Sequence, residues 1–321
     1  MIPLQTASPH PVTHIVFSPD GAAVAVAQPF HGVTVIERAT GRTVAVCAMP
    51  RRATLTGLTF CGDGRVLAVA HAKGLEVFDA RTGAAVLRNF HYPRTRQLAA
   101  SGDVVLGATC GNETVLRKLL TVADTTISLL QPRAAVYRAD LAFLTCAPDG
   151  SRLLSASGNR FVLLDASAGR TIAEIECPTG DSQVKRVAKF CPLGRRFAVN
   201  DGRTLDVYDA PDTFDETGDD EPTAAAVAPM PHTLLAPVFT LKPDKPAGSD
   251  WCPPFALLAD GRGLLVKRPR NRVQLWDSPT GTLVNEWSWQ FEWVTCVAVC
   301  ADGLTAVAGG RFGRVLLWDL E

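Results

Sequence analysis

The sequence predicts an all-β fold built from repeated antiparallel sheets, and three observations carry this prediction. Residues 294–321 contain three short runs of β-forming residues separated by an Asp-Gly turn and a Gly-rich turn, which is the pattern of a three-stranded meander. The Asp-Gly turn recurs along the chain. The third run of the meander, which ends in an apolar residue followed by Asp, recurs as well.

The recurring turn sets the period of the repeat. Its seven copies, one of which has Leu in place of Asp, lie at 18–21, 61–64, 101–103, 147–150, 191–194, 259–261 and 301–303. Seven copies in 321 residues give about 46 residues per unit, close to the length of a four-stranded propeller blade. The sequence therefore predicts one domain, 1–321, folded as a seven-bladed β-propeller of four-stranded antiparallel blades.

Each unit also contains recognisable third and fourth strands. The third strands are predicted to begin at Val33, Leu75, Phe161, Leu205, Val273 and Val315, with a blurred copy at 114–119. The fourth strands are predicted at 43–48, 85–90, 126–130, 171–177, 234–241 and 283–287. The last unit has no fourth strand of its own. We therefore expect the apolar segment 2–6 to pair with 314–317, which closes the ring and removes an open sheet edge.

Two Trp-Asp dipeptides, Trp276-Asp277 and Trp318-Asp319, end third strands, and Phe78-Asp79, Leu164-Asp165 and Tyr208-Asp209 are weaker forms of the same pair. With the seven turns, these dipeptides make the whole chain resemble WD40-repeat β-propellers. The resemblance implies a non-enzymatic scaffold for protein assembly. It also implies a buried Asp that organises a polar network in each blade, but Phe312 and Arg270 occupy that position here, so we expect stability to rest on apolar burial.

The overall composition of the chain limits the classes of partner that we expect. The formal net charge is zero and 47% of the residues are hydrophobic, so no global field favours nucleic acid or a membrane. Residues 1–11 lack the features of a signal peptide, and no apolar run is long enough to span a bilayer. The nine cysteines fall in apolar strands or beside turns, as reduced thiols do. These features predict a soluble, cytoplasmic and monomeric chain.

Motifs for catalysis, metals and cofactors do not occur in the sequence. It contains no GxxxxGK[ST], HExxH or GxSxG pattern, its six histidines are scattered singly, and no metal or cofactor is predicted. Propeller enzymes place ionisable groups where the innermost strands begin. The corresponding positions are His14, Thr56, Leu98, Leu141, Val187, Phe255 and Thr295, only one of which is ionisable. A lactonase-like or lyase-like enzyme that uses the central channel is therefore the alternative reading, and it is not favoured.

Charge is distributed unevenly between the two faces expected of a propeller. We call the face with the strand 2–3 turns and the links between blades the link face, and the other the Asp-Gly face. Arginines concentrate on the link face, which predicts binding of an acidic or phosphorylated protein or peptide. Nucleic-acid backbone binding and a merely solvated rim are the alternatives. The candidate residues are Arg52, Arg94, Arg96, Arg160, Arg203, Arg268, Arg270, Arg272 and Arg311, with the densest cluster at 267–272.

Two further segments stand out from the repeat. The region 212–250 lengthens the unit between the fifth and sixth blades; its first part is acidic and contains proline, which indicates a loop that is either a tolerated insertion or a docking segment. Aromatic residues alternate at Trp287, Trp289, Phe291 and Trp293. We expect most of these side chains to pack between blades and one, Trp289 or Phe291, to be exposed as an interaction anchor.

Overall fold

A computed structural model describes residues 2–4, 6, 8–50, 53–61, 63–72, 74–90, 95–101, 104–109, 114–123, 126–129, 137–139, 141–157, 160–165, 171–176, 187–211, 233–243, 253–269, 271–289 and 293–321. For most of 89–144 the description covers the backbone of the strands alone. Within these residues every regular element is a β-strand. No helix among them is long and apolar enough to cross a membrane.

The described strands form seven hydrogen-bonded sheets, which we number in the chain order of their innermost strands. Sheet 1 contains β2 (His14–Phe17), β3 (Ala23–Gln28), β4 (Gly32–Glu37) and β5 (Thr43–Cys47). Sheet 2 contains β6 (Leu55–Cys61), β7 (Val66–His71), β8 (Gly74–Asp79) and β9 (Ala85–Phe90). Sheet 3 contains β10 (Thr95–Ser101), β11 (Val104–Thr109), β12 (Thr114–Ala123) and β13 (Thr126–Leu129), with β14 (Tyr137–Ala139) also paired to β12.

The other four sheets complete the fold. Sheet 4 contains β15 (Leu141–Cys146), β16 (Arg152–Ser157), β17 (Arg160–Asp165), β18 (Thr171–Glu176) and the short β22 (Thr233–Leu234). Sheet 5 contains β19 (Val187–Phe190), β20 (Arg196–Asn200), β21 (Leu205–Asp209) and β23 (Phe239–Leu241). Sheet 6 contains β24 (Phe255–Leu257), β25 (Gly263–Arg268), β26 (Arg272–Asp277) and β27 (Thr282–Ser288). Sheet 7 contains β28 (Val294–Val299), β29 (Thr305–Gly310), β30 (Val315–Asp319) and β1 (Ile2–Leu4).

The N-terminal strand completes the C-terminal sheet, as predicted. β1 pairs antiparallel with β30, and Leu4 lies opposite Val315 in the register. Leu4 is buried in a cluster that includes Leu317 of sheet 7 and Ile15 of sheet 1. The first strand therefore satisfies an edge of sheet 7 and joins the core between the first and last sheets.

The Asp-Gly turns pack against one another around one face. Gly21 has a φ of +69°, and a Cβ atom on it would lie 2.5 Å from the Sγ atom of Cys300, in the turn of sheet 7. Gly261 has a φ of +76°, and a Cβ atom on it would lie 2.5 Å from the Cβ atom of Arg196, at the turn of sheet 5. Glycine is required at both positions because the backbone is left-handed and the neighbouring turn is close. The contact between sheets 1 and 7 brings the last of the described turns against the first.

The core lies between neighbouring sheets. Separate apolar clusters fill the junctions of sheets 1 and 2, 4 and 5, 5 and 6, 6 and 7, and 7 and 1. The indole N–H of Trp318 is buried and has no hydrogen-bond partner among the described residues, whereas that of Trp276 donates to Gln274 Oε1 at 3.1 Å. These two tryptophans thus lack the polar network of the WD40 pattern, and apolar packing between sheets stabilises the described fold.

One predicted strand is wrong. The segment 234–241 was expected to form a single fourth strand, but β22 pairs in parallel with β18 of sheet 4, and β23 pairs antiparallel with β21 of sheet 5. Pro237 lies between the two strands and has no N–H to donate to a continuous ladder. Residues 212–232 and 244–250 lie outside the described ranges, so the expectation for the insertion 212–250 stays a prediction.

Candidate interaction surface and central channel

The predicted arginines occupy several different environments. Arg52, Arg94 and Arg270 lie outside the described residues, and Arg96 lies in β10, whose backbone alone is described there. Arg160 begins β17, and its Nη1 atom lies 2.6 Å from Oε2 of Glu174 on the neighbouring strand. Exposed ion pairs of this kind contribute about 0–1 kcal/mol and offset the positive charge locally.

The densest predicted cluster, 267–272, is divided by the structure. Arg268 is only 5% exposed, and its Nη1 atom donates to the carbonyl of Lys242 at 3.1 Å, which links sheet 6 to the segment after β23. Arg272 is half-buried and pairs with Glu286 at 3.2 Å. Arg268 thus serves packing between sheets and does not present its guanidinium to a partner, because this strand position faces the neighbouring sheet.

Two predicted arginines are exposed on turns of the link face. Arg203 lies in the β20–β21 turn, where its backbone N–H donates to Oδ1 of Asp201 at 2.8 Å. Arg311 lies in the β29–β30 turn, and its guanidinium is 5.5 Å from the ring centroid of Trp293. A cation over the face of an indole is attracted to the ring quadrupole, which fixes the direction of the Arg311 side chain.

Three large aromatic side chains are exposed on the link face. Phe30 is 66% exposed, Trp293 62% and Phe312 52%, and they are the exposed large aromatics among the described residues. All three lie on the link face: Phe30 in the β3–β4 turn, Trp293 in the link before β28, and Phe312 next to Arg311. We call Phe30, Trp293, Arg311 and Phe312 the aromatic surface. Aromatic and arginine side chains are the residue types that dominate binding energy at protein interfaces.

The backbone that presents two of these rings is unusual. Phe30 has a φ of +68° and Trp293 a φ of +57°, and within the described ranges the only other non-glycine residue with a positive φ is Asn271. A bulky residue in this region costs about 1–3 kcal/mol and persists only where its surroundings enforce it. At Trp293 they do so directly, because its N–H donates to Asn271 Oδ1 at 3.0 Å and its carbonyl accepts from the N–H of Arg311 at 3.1 Å.

A buried glutamine holds the region around Phe30 in place. The Nε2 atom of Gln28 donates to the carbonyls of Ser8 and His10, both at 2.8 Å. The ring of His10 in turn lies 5.7 Å from that of Phe30 and 5.1 Å from that of His31. The N-terminal link and the β3–β4 turn are therefore one unit. A surface fixed in this way loses little conformational entropy when a partner binds.

The aromatic run before β28 was predicted only in part. Trp287 and Trp289 are half-buried, with ring centroids 5.9 and 4.7 Å from that of Trp318, as expected for residues between blades. Of the two candidates for an exposed anchor, Trp289 is half-buried and Phe291 lies outside the described residues, so the expectation stays a prediction for Phe291. Trp293, the last aromatic residue of the run, is exposed. The sequence could have indicated the exposure of Phe312, because this residue lies in a glycine-rich turn and not in a strand that enters the core.

The innermost strands enclose a channel. A cavity of about 520 Å³ is lined by residues of sheets 1, 2, 4, 5, 6 and 7, and a second cavity of about 360 Å³ lies at its link-face end. Lys189 of β19 lines both cavities. The prediction that His14 is the ionisable group of the channel mouth overlooked this lysine, which stands two residues beyond the mouth position Val187. In the described part of the chain, no group of three or more His, Cys, Asp or Glu side chains could hold a metal ion.

Solved structures resemble this chain over its full length. The β-propeller domain of Cps50 (Swd1) from Myceliophteria thermophila matches 100% of this chain and 99% of its own with a TM-score of 0.73 and 15% identity. A chain in the crystal structure of the mitotic checkpoint complex matches 99% of this chain and 94% of its own with a TM-score of 0.67 and 15% identity. No protein-family model matches the sequence, and no curated protein matches it. At 15% identity the likeness shows the fold alone.

Proposed function

We propose that this chain, whose fold is that of the WD40 β-propellers, is a non-enzymatic platform that binds a protein partner through the aromatic surface. The observation that carries the proposal is the combination of exposure and fixed geometry at Phe30 and Trp293. Strained, exposed aromatic residues lower the stability of the free protein, and binding a partner buries them. That one similar chain comes from a structure of a multiprotein complex supports a role in an assembly.

The architecture proposed for this platform is a ring of seven blades, with sheet 3 as the third. Its innermost strand β10 contacts β6 of sheet 2 and β15 of sheet 4. A Cβ atom on Gly57 of β6 would lie 2.9 Å from the backbone nitrogen of Leu98, which supports direct packing of sheets 2 and 3. In such a ring the aromatic surface spans the junction of the first and last blades.

The partner is proposed to be a protein segment that carries apolar side chains and at least one carboxylate. Apolar groups would cover the exposed rings, and the carboxylate would pair with Arg311, whose guanidinium is already oriented by Trp293. Of the nine arginines predicted to form a basic face, this proposal therefore uses Arg311 alone, within an otherwise apolar surface. Binding of a nucleic-acid backbone would need several exposed cations along a track. We further propose a cytoplasmic location, in keeping with the composition.

Affinity capture from cells of the source organism tests this function. The bait variant carries Phe30→Ser, Trp293→Ser and Phe312→Ser, and the control bait carries Leu193→Ser and Leu304→Ser, two exposed apolar residues on the Asp-Gly face. We expect partners captured by the wild type to be lost from the first bait and retained by the control. Equal capture by all three baits, with matched thermal unfolding, would contradict the proposal.

A further inference from the structure

Two imidazole rings meet on the link face, next to Phe30 of the aromatic surface. His10 lies in the N-terminal link and His31 in the β3–β4 turn, and their ring centroids are 5.1 Å apart, with an angle of 37° between the ring planes. His31 is exposed and His10 is half-buried, so both rings can be reached from solvent. The histidines are scattered singly along the sequence, and the fold brings these two together.

One buried residue holds the main chain of both histidines. Gln28 is 1% exposed, and its Nε2 atom donates to the carbonyl of His10 at 2.8 Å. The backbone carbonyl of Gln28 accepts from the N–H of His31 at 3.3 Å, which closes the β3–β4 turn. The two histidines are therefore placed beside each other by the fold of the free protein. Ligands that are fixed in advance lose little conformational entropy when a metal ion binds.

The separation of the two rings is that of two imidazoles on one zinc ion. Zinc binds imidazole nitrogens at about 2.0–2.1 Å in a tetrahedral arrangement, which places the centroids of two ligating rings about 5 Å apart. Within the described ranges, no third His, Cys, Asp or Glu side chain completes a metal-binding group here. Two of the four positions around such an ion are thus left for water or for a ligand from another molecule.

We propose that His10 and His31 bind one Zn²⁺ ion on the link face. We also propose, on the basis of the proposed function, that an imidazole or carboxylate of the protein partner replaces water in an open position. The ring of Phe30 lies 5.7 Å from that of His10, so a partner segment that covers Phe30 passes beside the ion. The metal would then add a directional bond to a surface that otherwise offers apolar contact and Arg311.

Calorimetric titration of the purified, reduced chain with Zn²⁺ tests the site. His10→Phe and His31→Phe keep a ring for packing and remove the nitrogen ligands, and His14→Phe is the control for loss of a histidine elsewhere. We expect one ion per chain in the wild type and in the control, and an affinity about tenfold or more weaker in each of the other two variants. Excess Zn²⁺ should also raise the unfolding temperature of the wild type and of the control alone.

The contrary results of this titration are specific. No saturable binding of Zn²⁺ to the wild type would overturn the site. Equal binding by the wild type, His10→Phe and His31→Phe would overturn it as well, because the ion would then be held by other groups, such as the cysteine thiols. The titration needs no partner, so its failure leaves the binding function of the aromatic surface untouched.

Partner capture tests the open coordination position. Capture by the wild-type bait should fall when EDTA is added, return when Zn²⁺ is restored, and be weak for the His31→Phe bait under both conditions. Capture that is lost from the bait with three serine substitutions but does not respond to EDTA or to His31→Phe would overturn the bridging role and leave the proposed function standing. One ion per two chains, with a dimer in sedimentation, would also overturn it, since a second copy would then occupy the open positions.

Discussion

Arg38 and Asp302 form an ion pair across the junction of sheets 1 and 7, although 264 residues separate them in the sequence. Arg38 Nη1 also donates to Cys300 Sγ at 3.2 Å. Together with the pairing of β1 and β30, this contact joins the beginning of the chain to its end on the Asp-Gly face. Two kinds of contact therefore hold the two ends of the chain together: an electrostatic component, the ion pair of Arg38 with Asp302, and a strand component, the pairing of β1 with β30.

The electrostatic component predicts a pH-dependent effect of Asp302→Asn. Burial alone would raise the pKa of Asp302, but the hydrogen bond from Arg38 and that from the Leu304 N–H hold it below its ordinary value. A carboxyl whose folded pKa is lowered stabilises the fold above its ordinary pKa, and this contribution is lost as pH falls through the folded pKa. The pair is partly exposed, so we expect a loss of about 0.5–1 kcal/mol near neutral pH.

Urea unfolding at neutral pH and at acidic pH measures this difference. The loss caused by Asp302→Asn should shrink toward zero in acid. Asp63→Asn is the control, because Asp63 lies in the equivalent turn with only a 3.8 Å pair to Arg65. A loss that is the same at both pH values would show that the substitution acts through something other than the charge.

The strand component predicts unequal effects of two substitutions in β1. Leu4→Ala should destabilise the fold by about 2 kcal/mol or more, because Leu4 is 4% exposed and packs between sheets 7 and 1. Ile2→Ala should change the stability by less than about 0.5 kcal/mol, because Ile2 is 43% exposed. Thermal unfolding distinguishes them. Equal losses would mean that β1 contributes through its backbone pairing alone.

Comparing alanine substitutions at two glycines with nearly the same φ isolates the loss of stability caused by close packing beneath the aromatic surface. Gly313 has a φ of +75°, and a Cβ atom on it would lie 2.0 Å from the carbonyl oxygen of Ser8; Gly41 has a φ of +68°, and its nearest atom would be Cδ2 of Leu4 at 3.3 Å. Gly41→Ala should cost about 1–2 kcal/mol from the backbone angle. Gly313→Ala should cost about 1–3 kcal/mol more. Similar costs, measured in urea, would contradict the contact between this turn and the N-terminal link.

Because the backbone at Phe30 is strained, we expect substitution of Phe30 to reduce partner binding without reducing the stability of the fold. Asn tolerates a positive φ better than Phe, so Phe30→Asn should leave the stability unchanged or raise it by about 1 kcal/mol. The same substitution should reduce partner capture because it removes an exposed ring. Leu193→Asn, on the opposite face, should leave capture unchanged. A variant at Phe30 that loses stability and keeps capture would argue that the ring serves the fold.

Much of the fold could be predicted from local patterns. The pairing of the N-terminal strand with β30 followed from counting strands, and the bounds of β9 (Ala85–Phe90) were predicted to the residue. These features are encoded by β-forming runs and turns within a few residues of each other. The division of 234–241 between two sheets was not predictable in this way, because β22 pairs with β18, which lies far away in the sequence.

The candidate site was less accessible to sequence reasoning. Counting charges by face could not show that Arg268 is buried against sheet 5, since burial depends on the neighbouring sheet. The alternation of the aromatic run could not show that Trp293 is exposed, and the position of Lys189 depends on which residues of β19 face the channel. Sequence patterns place residues on faces, whereas contacts between sheets decide which side chains a partner or ligand can reach.

Site-specific photo-crosslinking tests the central claim most directly. The photoreactive residue p-benzoylphenylalanine replaces Phe312 on the link face in one bait and Leu193 on the Asp-Gly face in another, and both baits are irradiated in cells of the source organism. The account predicts a discrete protein adduct from position 312 and none from position 193. An adduct that forms from position 193 and not from position 312 would contradict it.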